Sequence, residues 1–133
     1  MCGNCCSGPS GFVLVNDTER TALAARLNIS EAEFTTRFTT MLHIGRSLIE
    51  KPAPDQSTRA MDCIFLDRDK FPGKAVCGVY EDRPRQCRTW PFWNSTLQNA
   101  ESWARASRTC PGINKGALHE LVQIRISRNV VDI

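Results

Sequence analysis

Residues 63–80 read Cys63-Ile64-Phe65-Leu66-Asp67-Arg68-Asp69-Lys70-Phe71-Pro72-Gly73-Lys74-Ala75-Val76-Cys77-Gly78-Val79-Tyr80. The bulky apolar run 63–67 is strand material, and 76–80 supplies a partner across the turn signal Phe71-Pro72-Gly73. The pattern predicts a hairpin with one cysteine at its start and another inside its second strand. Arg83-Pro84 ends that strand, because the residue before a proline is pushed out of regular pairing.

Outward from the hairpin the pattern changes period. Residues 12–15 are a short apolar strand after the turn Gly8-Pro9-Ser10-Gly11. Asn16, with Glu19 three residues later, is a capping box opening a helix to about Leu27. Ser30 repeats the device, and Phe34, Phe38, Met41 and Leu42 follow at helical spacing as a core stripe, with His43 at the end. Residues 51–60, with two prolines, read as loop. In the second half, Cys87-Arg88-Thr89-Trp90-Pro91-Phe92-Trp93 is a packed aromatic corner that Pro91 keeps from being regular helix. Residues 99–107 form a short helix with Trp103 and Ala106 inward, ended by Cys110-Pro111-Gly112. The tail, about 117–131, places Leu118, Leu121, Val122, Ile126 and Val130 on one helical face. The expectation is an α+β fold: a small cysteine-rich single domain over 1–133, with a short antiparallel sheet or hairpin and three to four helices stapled by metal.

Seven cysteines in 133 residues dominate the composition. Three crowd into Met1-Cys2-Gly3-Asn4-Cys5-Cys6. That start lacks the apolar run of a secretory signal, so a reducing intracellular compartment, cytoplasm or organelle matrix, is expected. There an odd count with a vicinal pair speaks for metal rather than disulfides, since neighbours such as Cys5 and Cys6 pair only through a strained ring. Thiolates are soft donors suited to zinc and iron–sulfur centres. Cys2 and Cys5, with two residues between them, let one turn of backbone wrap an ion. Cys63, Cys77, Cys87 and Cys110 each lie beside a strand end or turn, and Pro91 and Pro111 stiffen the backbone near the last two.

The order CGNCC, CIFLD, CGVYEDRPRQCRTWPFW and CPGI, with GPSGFVLV and RSLIEKPA between, resembles the YkgJ-like cysteine-cluster proteins over residues 2 to about 116. That family carries a CxxCxxCC signature and is read as zinc- or iron-chelating. The resemblance implies Cys2, Cys5, Cys6, Cys63, Cys77, Cys87 and Cys110 as ligands. The family signature has eight cysteines, and the first of CxxCxxCC would fall before Met1. His43, Asp62, the amino terminus or an exogenous molecule are the substitutes considered. Whether the metal is zinc or an iron–sulfur cluster stays open, as does the division of cysteines between one or two centres.

The net charge of +3 is spread along the chain, which argues against a dedicated nucleic-acid binder and leaves only a peripheral RNA contact. No apolar run approaches the length of a membrane span. No glycine-rich nucleotide loop or nucleophile elbow occurs, and the histidines are only His43 and His119, so no enzyme is expected. Glu81-Asp82-Arg83 reads as a strand end fixed by arginine–carboxylate contacts rather than a catalytic trio. The reading is a metal-binding module, an accessory subunit with a protein partner in an assembly such as a ribosome or respiratory complex. The alternative is an iron–sulfur redox protein, or a cluster enzyme related to the flagellin lysine N-methylases.

Overall fold

The computed structural model describes residues 2–55, 57 and 59–130. The chain divides into two compact units, residues 1–84 and 85–133. Among the described residues, short antiparallel strands and five α-helices make it α+β.

In residues 1–84, helix α1 (Asp17–Arg26) begins on the expected reciprocal cap. The Glu19 amide donates to Asn16 Oδ1 at 2.8 Å, and the Asn16 amide to Glu19 Oε2 at 2.9 Å. Helix α2 (Glu31–Phe38) begins where the Glu33 amide donates to Ser30 Oγ at 3.1 Å. It stops one turn earlier than the apolar spacing suggests. Thr39–Leu42 is instead strand β2, paired with β3 (Gly45–Leu48). β-Branched Thr39 and Thr40 favour the strand, and Gly45 at φ 131° closes the tight turn. Met41, expected inside, is 63% exposed.

Strand β1 (Ser7–Gly8) pairs with β5 (Met61–Cys63), which pairs with β4 (Glu50–Pro52), all antiparallel. The stretch expected to be loop thus begins as strand, with Pro52 at its last residue, where a missing N–H costs least. Residues 12–15 contribute only a single bridge, Leu14 to Ser47. The hairpin is β6 (Leu66–Phe71) with β7 (Lys74–Cys77). The strand expected at 63–67 is cut at Ile64-Phe65. There the Gly78 amide donates to Phe65 O at 2.8 Å, so Cys63 ends one strand and Leu66 begins the next. Tyr80–Asp82 is a 3₁₀ turn rather than strand.

The core of this unit is Val15, Leu23, Ala24, Phe34, Leu48 and Val79, with Phe38, Phe65, Cys63 and Cys77 packed on it. Phe34, Phe38 and Phe65 form a ring trio with centroids 5.4–6.2 Å apart. Each fully buried aliphatic or phenyl side chain contributes roughly 1.5–3 kcal/mol. The set is small for its length, so a cross-link has much to add.

In residues 85–133, α3 (Arg85–Thr89) ends before the cis Trp90–Pro91 bond. The expected aromatic corner is present: Trp90 and Trp93 meet edge to face at 4.7 Å, and Trp93 Nε1 donates to Gln86 O at 3.0 Å. Cys87, however, lies in a helix. Asn99 caps α4 (Ala100–Thr109), whose Ala106 is buried and Trp103 half-buried as expected. Helix α5 (Leu121–Val130) is shorter than the tail predicted, and residue 131 lies outside the described residues. Its apolar stripe faces out: Leu121, Val122, Ile126 and Val130 are exposed, as is Leu118 before it. Ile124, Ser127 and Arg128 are its half-buried residues. Periodicity located the stripe correctly but does not say which side of a helix a neighbour covers.

Candidate metal centre

Strand ends position two thiols of residues 1–84, Cys63 and Cys77. β1 and β5 pair Ser7 with Asp62 and Gly8 with Met61, so Cys6 precedes the first residue of β1 and Cys63 is the last residue of β5. On the hairpin, Cys77 pairs with Leu66, three residues beyond Cys63. The amino-terminal loop is pressed onto this hairpin at Gly3. Gly3 has φ 69°, and a Cβ there would stand 2.5 Å from the Ala75 Cβ and 3.1 Å from Leu66 Cδ1. Only glycine satisfies both the backbone angle and the approach. From Gly3 a 3₁₀ turn, Asn4–Cys6, starts with the Cys6 amide donating to Gly3 O at 2.9 Å, and it delivers Cys5 and Cys6 side by side.

The Cys5 and Cys6 sulfurs are 3.7 Å apart. Four thiolates at about 2.3 Å from one tetrahedral ion sit about 3.8 Å from each other. The vicinal pair therefore already spans one edge of such a site, although it is too long for an S–S bond. None of the seven cysteines is in a disulfide. Among the described residues, no three of the His, Cys, Asp and Glu side chains stand close enough to hold an ion as they are. Cys63 and Cys77 are half-buried, and Cys77 is near enough to Cys5 for their charges to interact.

Charge is managed from several sides. The hydrogen bond with Cys6 draws the Cys5 thiol down to about 6, and the Arg83 cation adds to the effect. Burial pushes Cys63 up to about 11, with the neighbouring Cys77 opposing ionisation further. Burial raises Cys77 too, and Cys5 is close enough to repel its thiolate. The three thiols thus feel one another. Each buried sulfur has a backbone donor two residues on: the Phe65 amide for Cys63 and the Val79 amide for Cys77. Amides aimed at sulfur stabilise the charged form that a metal needs, as outer-shell donors do in thiolate sites. The donor set fits a soft ion: a polarised pair of thiols, two buried thiols that deprotonate at a cost, and cations and amides around them.

A clamp holds the frame. Asp62 is buried, and Arg68 donates to both its oxygens, Nε at 2.7 Å and Nη2 at 2.8 Å, while Nη2 also reaches Ser7 Oγ at 3.1 Å. The arginine hydrogen bonds hold the Asp62 carboxyl below the usual carboxylate range. β1, β5 and β6 are thereby tied on the side chain next to Cys63. This bidentate engagement leaves Asp62 poorly suited as a substitute ligand. His43 sits exposed in the β2–β3 turn. Cys2 is exposed just before Gly3. Cys87 on α3 and Cys110 after α4 are half-buried members of residues 85–133. Asp82 pairs with Arg26, while Arg83 stacks on the Tyr80 ring at 3.9 Å, so the YEDRP stretch is a packed corner. Sequence reasoning did not single out Gly3, Arg68 or the two amides. Gly3 had a signal in its place between two cysteines; the amides belong to the backbone and had none.

Cysteines on the turns and strand ends of a small α+β frame are the donor type of a metal-chelating module. The chain belongs to the CxxCxxCC family, described as "putative zinc- or iron-chelating domain", whose model matches residues 1–111. No solved structure matches the chain. No helix of the described residues is long and apolar enough to cross a membrane.

Proposed function

We propose that Cys5, Cys6, Cys63 and Cys77 hold one four-coordinate zinc or iron ion that joins the amino-terminal loop to the β6–β7 hairpin. The observation that carries this reading is the 3.7 Å approach of the Cys5 and Cys6 sulfurs, next to a short ladder in which Ser7, after Cys6, pairs with Asp62, before Cys63. When bound, the ion supplies a cross-link between segments some sixty residues apart in sequence, which a core this small lacks. The chain is a binding module rather than an enzyme: the candidate acid–base groups at 82–83 are engaged in ion pairing and stacking, and both histidines are exposed.

The test is metal analysis of the full chain purified without oxygen, beside Cys63→Ser and Cys77→Ser. Each variant is expected to lose one equivalent of zinc or iron relative to the parent. Metal content unchanged in both would overturn the assignment. Iron accompanied by acid-labile sulfide would replace the single ion by a cluster and favour the redox alternative.

A further inference from the structure

Residues 85–133 carry seven basic side chains (Arg85, Arg88, Arg105, Arg108, Lys115, Arg125 and Arg128) against Glu101, Glu120 and Asp132. Residues 1–84 hold slightly more acids than bases. The positive balance of the whole chain therefore belongs to one unit. Within that unit lies a cleft of about 1000 Å³, running from Arg88 to Ser127. Its size suits a small organic ligand.

The lining has a consistent bias. Arg88 and Lys115 both border the cleft, and among the described residues no aspartate or glutamate does. Phe92 and Trp103 lie nearly parallel in its wall, 9° between planes and 6.2 Å between centroids, with His119 edge-on to Phe92 at 5.1 Å. Trp103 is anchored by its Nε1 donating to Asn114 Oδ1 at 3.0 Å, which leaves the Asn114 amide nitrogen as a further donor. Trp90 Nε1, also in the wall, is buried without an acceptor. The charged side chains of the described lining are both cationic, and its two aromatic walls are nearly parallel. The cleft also straddles residue 111, where the family match ends, so it is built in part by chain outside the matched domain.

We propose that this cleft binds a small organic anion with a flat apolar body, the body lying along Phe92 and Trp103 and the charge drawn by Arg88 and Lys115. The inference is independent of the metal reading. Adenosine monophosphate is a suitable probe and adenosine its neutral control. All three tryptophans, Trp90, Trp93 and Trp103, lie in this unit, so tryptophan fluorescence of the full metal-loaded chain reads the event directly. The expected result is a saturable change with the monophosphate that weakens with added salt. The paired Arg88→Ala and Lys115→Ala variant should weaken it about tenfold, the combined effect of two exposed charges. Adenosine should bind more weakly and be indifferent to the pair. Both substituted residues are exposed, so folding should survive, and unchanged circular dichroism would show that it has. No saturable change with adenosine monophosphate or with phenyl phosphate would overturn the proposal. So would monophosphate binding that the paired variant leaves intact, or adenosine binding as tightly.

Discussion

Gly3 shows how a single residue can position a site without touching its chemistry. Its left-handed backbone and its 2.5 Å approach to Ala75 seat the turn that presents Cys5 and Cys6. Gly3→Ala must shift the loop off the hairpin, with a cost of roughly 1–3 kcal/mol from the strained backbone and the clash. Metal affinity should fall by tenfold or more, measured by competition with a chromophoric chelator, while the thiol count stays the same. The thiols themselves should differ in reactivity once the metal is removed and the fold kept well below its melting point. Cys5, depressed to about 6, is largely thiolate at neutral pH, whereas Cys63, raised to about 11, stays protonated until far above the ordinary thiol range. Iodoacetamide labelling followed by peptide mass spectrometry should modify Cys5 first, with a rate rising through about pH 6, and Cys63 last. Equal rates at the two positions would contradict the arrangement. At this scale the sequence supplied the candidate ligands by residue type; their unequal ionisation depends on burial and could not be read from it.

Among the elements, the helix starts were legible because caps are local chemistry: Asn16 with Glu19, Ser30 and Asn99 each act within three residues. Where α2 gives way to β2 was not, since Phe34, Phe38 and Leu42 satisfy a helical period until β3 recruits Thr39–Leu42 as a partner. The hairpin was expected at the right turn, but the break at Ile64-Phe65 depends on a bond from Gly78 thirteen residues away. The element junction that matters most is the Asp62–Arg68–Ser7 clamp. Asp62→Asn should lower stability by about 1–3 kcal/mol, less than a fully buried pair because Arg68 keeps 37% of its side chain in water. The folded Asp62 carboxyl titrates below its unfolded value. Its contribution is therefore complete above the ordinary carboxylate range and is lost as pH falls through that range to the folded value. Acid unfolding curves of parent and variant should converge at low pH and separate above it.

For the whole molecule, the α+β class and the metal-binding character were legible, and the division at residue 84 was not, because no linker composition marks it. The fully buried apolar side chains of the first unit are few, with Phe34, Leu23, Leu66 and Val79 the largest. A bound ion held a thousandfold above its dissociation constant adds about 4 kcal/mol. Stripping it with a strong chelator should lower the melting temperature by roughly 10–20 °C at this size, followed by far-ultraviolet circular dichroism. A melting curve unmoved by complete removal of metal would show that the centre is dispensable to the fold. The Phe65 and Val79 amides have a consequence for how such a centre tolerates change. Because the groups that answer the sulfurs' charge are main-chain, nearly any residue written into those turns preserves them, and proline alone deletes them. What the turns store is an interval of two from each cysteine; the sulfurs read only that spacing, and the choice of side chain at 65 and 79 answers to the core instead.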